Sequence, residues 1–166
     1  MKFSLITVAL ATLAAAVPVT KRAVFSNQSF AQLSISGGVA GNAQAEALQK
    51  LSGLPQDLTT VDKADLDFLS NVNSLANDVE KGAFNPAIEA ASGEEADALQ
   101  RGKIKNKVLK LTATILALQV KEAQGQDVSE KMATELKKLQ NNIQQDEEAA
   151  GLPSTDVQFN GDTDSA

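Results

Sequence analysis

SGEEADALQRGKIKNKVLKLTATILALQVKEAQG, from Ser92 to Gly125, is the stretch that decides the fold. Ser92-Gly-Glu-Glu95 has the form of a capping box, in which a hydroxyl and a carboxylate satisfy free amides at a helix start. Ile104, Val108, Leu111, Ile115 and Leu118 then step by 4, 3, 4 and 3, the spacing of an apolar seam along one helix face. Gly125 ends the run. The spacing predicts one long helix to about Ala123, with Gly102 as its weak point.

The flanking segments extend the pattern. After Gly125, Asp127 is placed to cap a last helix, in which Val128, Met132, Leu136, Leu139 and Ile143 repeat the stepping until Gly151 and Pro153 stop it. Upstream, Val61, Phe68, Val72, Leu75 and Val79 share a stripe, predicting a helix from about Thr60–Asp62 to Gly82. Pro86 suits the first position of a short separate turn reaching Ala91. Val39 to Leu51 reads as a first helix. Ala31, Leu33 and Ile35 alternate with polar residues, as do Val157 and Phe159 near the other end. These two segments are expected to form a minor two-stranded patch or to dock side by side. The fold class is therefore all-α, a single-domain antiparallel bundle of about four helices.

The first 22 residues read as processing signals. Met1 and Lys2 precede an apolar run that stops short of membrane-spanning length, and Ala14-Ala15-Ala16 has the small-x-small form of a signal-peptidase site. Lys21-Arg22 is a dibasic pair of the kind kexin-type proteases cut. The expected organisation is a signal peptide over 1–16 ending at Ala16, a propeptide over 17–22, a helical domain over 23–153 and an extended or disordered tail over 154–166. The expected location is extracellular, at or near a cell wall, with no transmembrane segment in the mature chain.

Composition narrows the chemistry. Without Lys2, Lys21 and Arg22, the 15 basic residues fall to 12 against 21 acidic ones, a net charge of −9. That charge disfavours nucleic acid as a partner. There is no Cys, so about 140 residues must hold together by packing alone. There is no His either, which removes the Ser-His-Asp triad, the Cys nucleophile and the His/Cys zinc site together. No cofactor and no metal site are expected, and the chain reads as a non-enzyme. Glu94, Glu95 and Asp97, like Asp62, Asp65 and Asp67, read as acids at helix starts. Gly37-Gly38-Val-Ala-Gly41 lacks the Lys-Ser/Thr ending of a phosphate loop. Asn27-Gln28-Ser29 is the one glycosylation sequon. Lys103, Lys107 and Lys110 share a helix face and form a possible docking patch for an acidic partner or an anionic polysaccharide, with Asn106 between them.

Phe84 to Gln100, Gly102 to Thr112 and Ser34 to Glu46 resemble cysteine-free small secreted proteins of filamentous ascomycete fungi. With the processing signals, the resemblance covers most of the chain. It implies an extracellular fungal protein of the effector or virulence-associated kind, and supplies no catalytic residues. The leading expectation is a secreted protein that acts by binding a protein, glycan or lipid in a host or cell-surface setting. The alternative is a carrier of lipid or hydrophobic surface in the cell wall, with a cleft lined by Ala87, Ala90, Ala91, Ala113 and Ala117. A carboxylate-based hydrolase, with paired acids across an open cleft, is the third.

Overall fold

The computed structural model describes residues 23–166. The expected signal peptide and propeptide, with Ala16, Lys21 and Arg22, lie outside the described residues. The rest is an all-α bundle of α1 (Phe30–Leu33), α2 (Ala43–Lys50), α3 (Lys63–Val79), α4 (Asn85–Ala90), α5 (Gly93–Ala123) and α6 (Ser129–Glu148), with a short 3-10 turn at Leu58–Thr60.

α5 is the axle. The spacing predicts burial of one seam, but between Ala98 and Val120 burial extends well beyond it, with Gln119 exposed and Lys103, Lys107, Lys110 and Thr114 half-buried. Leu109, Ala113, Ala117 and Val120, outside the predicted seam, are as buried as Val108 and Leu118 within it. α3 and α6 lie along α5, α2 packs across it, and α3 and α6 scarcely touch one another. Ser92 is the residue before α5, but its side chain makes no capping hydrogen bond, so the predicted capping box does not form.

α3 does not stop at Gly82. It runs through a π-helical turn, Glu80–Phe84, directly into α4, with the Asn85 amide donating to the Glu80 carbonyl. Pro86 explains the wider turn. It has no N–H for the Gly82 carbonyl, and its ring crowds that carbonyl in a regular helix. The extra residue per turn swings Phe84 fully into the core.

The alternating segments fold differently from the strand reading. Phe30–Leu33 is one turn of helix, set by Ser29 and Gln32: the Ser29 amide donates to Gln32 Oε1 at 2.9 Å. Phe30 and Leu33, three apart, both point inward, while Ala31 faces solvent. Among the described residues there is no strand. The terminal segments do dock, through isolated bridges at Ser29–Asp162 and Val39–Pro153. The tail is extended and anchored rather than frayed: Thr163 is buried, and Phe159 meets Phe30 edge-on at 6.3 Å.

Gly102 marks where the tail crosses the axle. A Cβ there would lie 2.0 Å from the Thr155 carbonyl oxygen and 3.1 Å from the Phe84 ring. The Thr155 amide donates to the Ala98 carbonyl at 3.0 Å. Gly102 is thus not a weak point but a notch that lets two backbones meet.

Candidate functional site

The three lysines of the expected docking patch are not a free cationic face. Lys107 and Lys110 both reach Glu80, at 3.1 and 2.9 Å, and Lys103 donates to Asn85 Oδ1 at 3.2 Å. Glu80 and Asn85 sit at the two ends of the π-turn, so that turn presents the acceptors. Asn106 is buried, its Nδ2 donating to the Ala76 carbonyl at 2.8 Å. Lys107 and Lys110 line a larger polar groove, and Lys103 does not reach it.

That groove lies between α3 and α6, over α5. It comprises two adjoining hollows of about 410 and 450 Å³ that share Asn73 and Glu135. Its walls are two polar stripes at helical spacing. α3 supplies Ser70, Asn73, Ser74 and Asn77, and α6 supplies Lys131, Glu135, Lys138 and Asn142. Leu69, Leu111, Ala117 and Leu118 give it an apolar floor. Asn73 Nδ2 donates to Thr114 Oγ1 at 2.7 Å and fixes the wall to the floor.

The charges of the groove are uneven. Five lysines (Lys107, Lys110, Lys121, Lys131 and Lys138) line it against two glutamates. Both glutamates are engaged, Glu80 as above and Glu135 with Lys138 at 2.9 Å. Burial would raise the Glu80 carboxyl, but hydrogen bonds from Lys110 and Lys107, and their charges, hold it below the ordinary carboxylate range. Such a carboxylate stays ionised and does not suit a general acid, which needs a raised pKa. Lys121 and Lys131 enter none of the ion pairs found among the described residues. The surplus positive charge is therefore concentrated at their end.

Sequence reasoning missed this site because it followed the apolar stripes and the basic run. The signal lay in the complementary faces: 70, 73, 74 and 77 on one helix, and 131, 135, 138 and 142 on another, are polar at helical spacing.

Asn27 is exposed, but its Oδ1 accepts from Thr163 Oγ1 at 3.0 Å. The Gly37–Gly41 turn is not an anion cradle. At its exit the Ala43 amide at the start of α2 donates to Asp146 Oδ2 at 2.8 Å, so the chain's own carboxylate occupies the helix end. Lys105, in the middle of the basic run, lies on the other side of α5 and is only 1% exposed. Its ammonium donates to the Gly37 and Val39 carbonyls at 2.9 and 3.0 Å and meets Glu46 at 2.9 Å. The alanines proposed for an apolar cleft divide: Ala113 is in the closed core, Ala117 floors the polar groove, and Ala87, Ala90 and Ala91 border an open hollow of about 540 Å³ beside Asp156–Gln158.

Among the described residues no group of three acids is placed to hold a metal ion, and no helix is long and apolar enough to cross a membrane. No curated protein and no solved structure matches the chain. A family model does match residues 25–158, which takes in every helix among the described residues and the groove, and the chain belongs to that family, described as a domain of unknown function, DUF8454.

Proposed function

We propose that the protein is a secreted, non-catalytic binding protein of a fungus, working at the host or cell-surface boundary, and that the α3–α6 groove is its binding surface. The observation that carries the reading is the charge contrast: five lysines and two paired glutamates line the groove of a chain with a net charge of −6. An acidic protein segment is the occupant this favours. Lys121 and Lys131 would take its carboxylates, the amides of Asn73, Asn77 and Asn142 its backbone groups, and the leucine and alanine floor its apolar side chains. The absence of an aromatic ring from the lining argues against stacked neutral sugars. The non-catalytic part of the reading rests on the missing His and Cys and on the ionised, lysine-paired state of Glu80.

The test is binding of a fluorescent polyglutamate peptide to the secreted protein, with polygalacturonate as the competing polyanion. The expected result is salt-sensitive peptide binding, weakened at least about tenfold by Lys121→Glu with Lys131→Glu, a change of about 1.4 kcal/mol. Both side chains line the open groove, so stability should move by no more than about 0.5 kcal/mol. Equal binding by the variant sinks the groove reading. Tighter binding of polygalacturonate replaces the protein partner with a glycan.

A further inference from the structure

Asp65 stands apart from the acids at the other helix starts. It lies in the first turn of α3 but is only 1% exposed, turned away from solvent toward the start of the described chain. Its Oδ1 accepts from the backbone amides of Val24 and Phe25, at 2.9 and 3.0 Å. Phe25 then stacks on Phe68, with ring centroids 4.5 Å apart and planes 15° from parallel. The residues next to the predicted cleavage point are thus docked onto α3, one turn of which holds both anchors.

The carboxylate has neutral donors but, among the described residues, no counter-ion. Asp65 enters none of the ion pairs found among the described residues. A buried carboxylate normally has a cation near it as well as hydrogen bonds. The Ala23 nitrogen is one residue from the Val24 nitrogen. Consecutive backbone nitrogens are at most roughly 3.7 Å apart, so it lies within about 7 Å of Asp65 Oδ1. In an uncut chain that nitrogen is a neutral amide.

We propose that cleavage after Lys21-Arg22 completes the fold, the new Ala23 ammonium becoming the counter-ion of buried Asp65. A dibasic-specific endoprotease supplies the step. Water adds across the Arg22–Ala23 peptide bond, the C–N bond breaks, Arg22 keeps a carboxylate, and the freed Ala23 amine takes up a proton. Ala23 and Val24 are exposed, so the bond's carboxyl-side residues are open to a protease. Removal of the propeptide then has a structural consequence, a firmer seat for the amino-terminal segment. The inference stands on Asp65 and does not depend on the groove.

The experiment secretes the full chain, as wild type and as Lys21→Ala with Arg22→Ala, from a fungal host that has the processing protease. Amino-terminal sequencing of the wild type should begin at Ala23. A start at Val17 overturns the proposal. At pH 6 the cut protein should melt about 2–4 °C above the uncut variant, a shift usual for one modest ion pair in a chain of this size. Chemical acetylation of the Ala23 amine should remove the same increment. In an Asp65→Asn background the increment should vanish. Equal melting temperatures, or an increment that survives Asp65→Asn, reject the counter-ion role. If Asp65→Asn does not fold, the difference between free and acetylated protein must fade as the pH rises through about 8, where an α-amine loses its charge. Persistence above that pH also rejects it.

Discussion

The two sides of α5 use the same residue types to opposite ends. On the side of α2, polar groups are sealed in and mostly paired within the chain, Ser36 Oγ and Asp146 Oδ1 being exceptions. Lys105 closes the turn at Gly37–Val39, Asp146 caps α2, and Ser154 Oγ donates to the Ser36 carbonyl at 2.6 Å. On the side of α3 and α6, lysines, asparagines and hydroxyls stay at least partly exposed in a groove, and Lys121 and Lys131 enter no ion pair among the described residues. Lys105 and Lys107 are two positions apart on one helix, yet one is enclosed and the other reaches the groove. The difference teaches that position around α5, not local sequence, decides whether a polar side chain here serves stability or recognition. Without disulfides, the closed side must do by hydrogen bonding and ion pairing what cystines do in small disulfide-bonded domains.

Lys105→Met should break this contrast most severely. It orphans two carbonyls and leaves Glu46 without its partner, a loss of about 3 kcal/mol in the stability read from urea denaturation. Glu46 is one-third exposed and can rehydrate, so the carbonyls carry most of that loss. A loss under about 1 kcal/mol would mean that the turn and the tail hold each other without the ammonium. Gly102→Ala comes next. The added methyl would meet the Thr155 carbonyl at 2.0 Å, and a backbone oxygen cannot swing aside as a side chain can. Overpacking costs about 1–3 kcal/mol and the alanine returns about 1 in helix propensity, leaving a net loss of up to about 2. Hydrogen exchange should show the loss first at the Thr155 amide, and unchanged protection there would count against the notch.

The helices and their order were legible because apolar residues at helical spacing report burial directly. Phe68, Val72, Leu75 and Val79 are in the core, as their stripe requires. What escaped was whatever depended on a partner distant in sequence. The Asp146 cap on Ala43 spans 103 residues, and the role of Gly102 depends on a tail more than fifty residues away. Ile104, Val108 and Leu111 mark one seam, but α5 is buried well beyond it, and Lys103, Lys105, Lys107 and Lys110 meet partners within the chain. Leu136 went the other way: it fits the α6 seam yet is 42% exposed, since α6 has only α5 and part of α2 to cover it. The groove was invisible for a related reason. Polar residues at helical spacing normally face bulk water, and only the separation of α3 from α6 turns two such faces toward each other.

The smallest expected effect sharpens the comparison most. Glu80 lies on the open side but is paired like a residue of the closed side, with Lys107 and Lys110. Its carboxyl is held below its usual 4.5 in the folded protein, so it favours the fold above that pH and loses its contribution as pH falls through the lowered value. Glu80→Gln should therefore cost about 0.5–1 kcal/mol at pH 7, a partly exposed pair being worth little more. Wild type and variant should converge in melting temperature below pH 4.5, as the wild-type carboxylate protonates. The same substitution frees Lys107 and Lys110 into the groove, raising its net charge by one. If the groove recruits an acidic segment, affinity for the polyglutamate peptide should rise about two- to fivefold while stability falls. Reduced affinity would instead make Glu80 the residue that holds the lysines in their binding positions, and would move the boundary between the two sides of α5 into the groove itself.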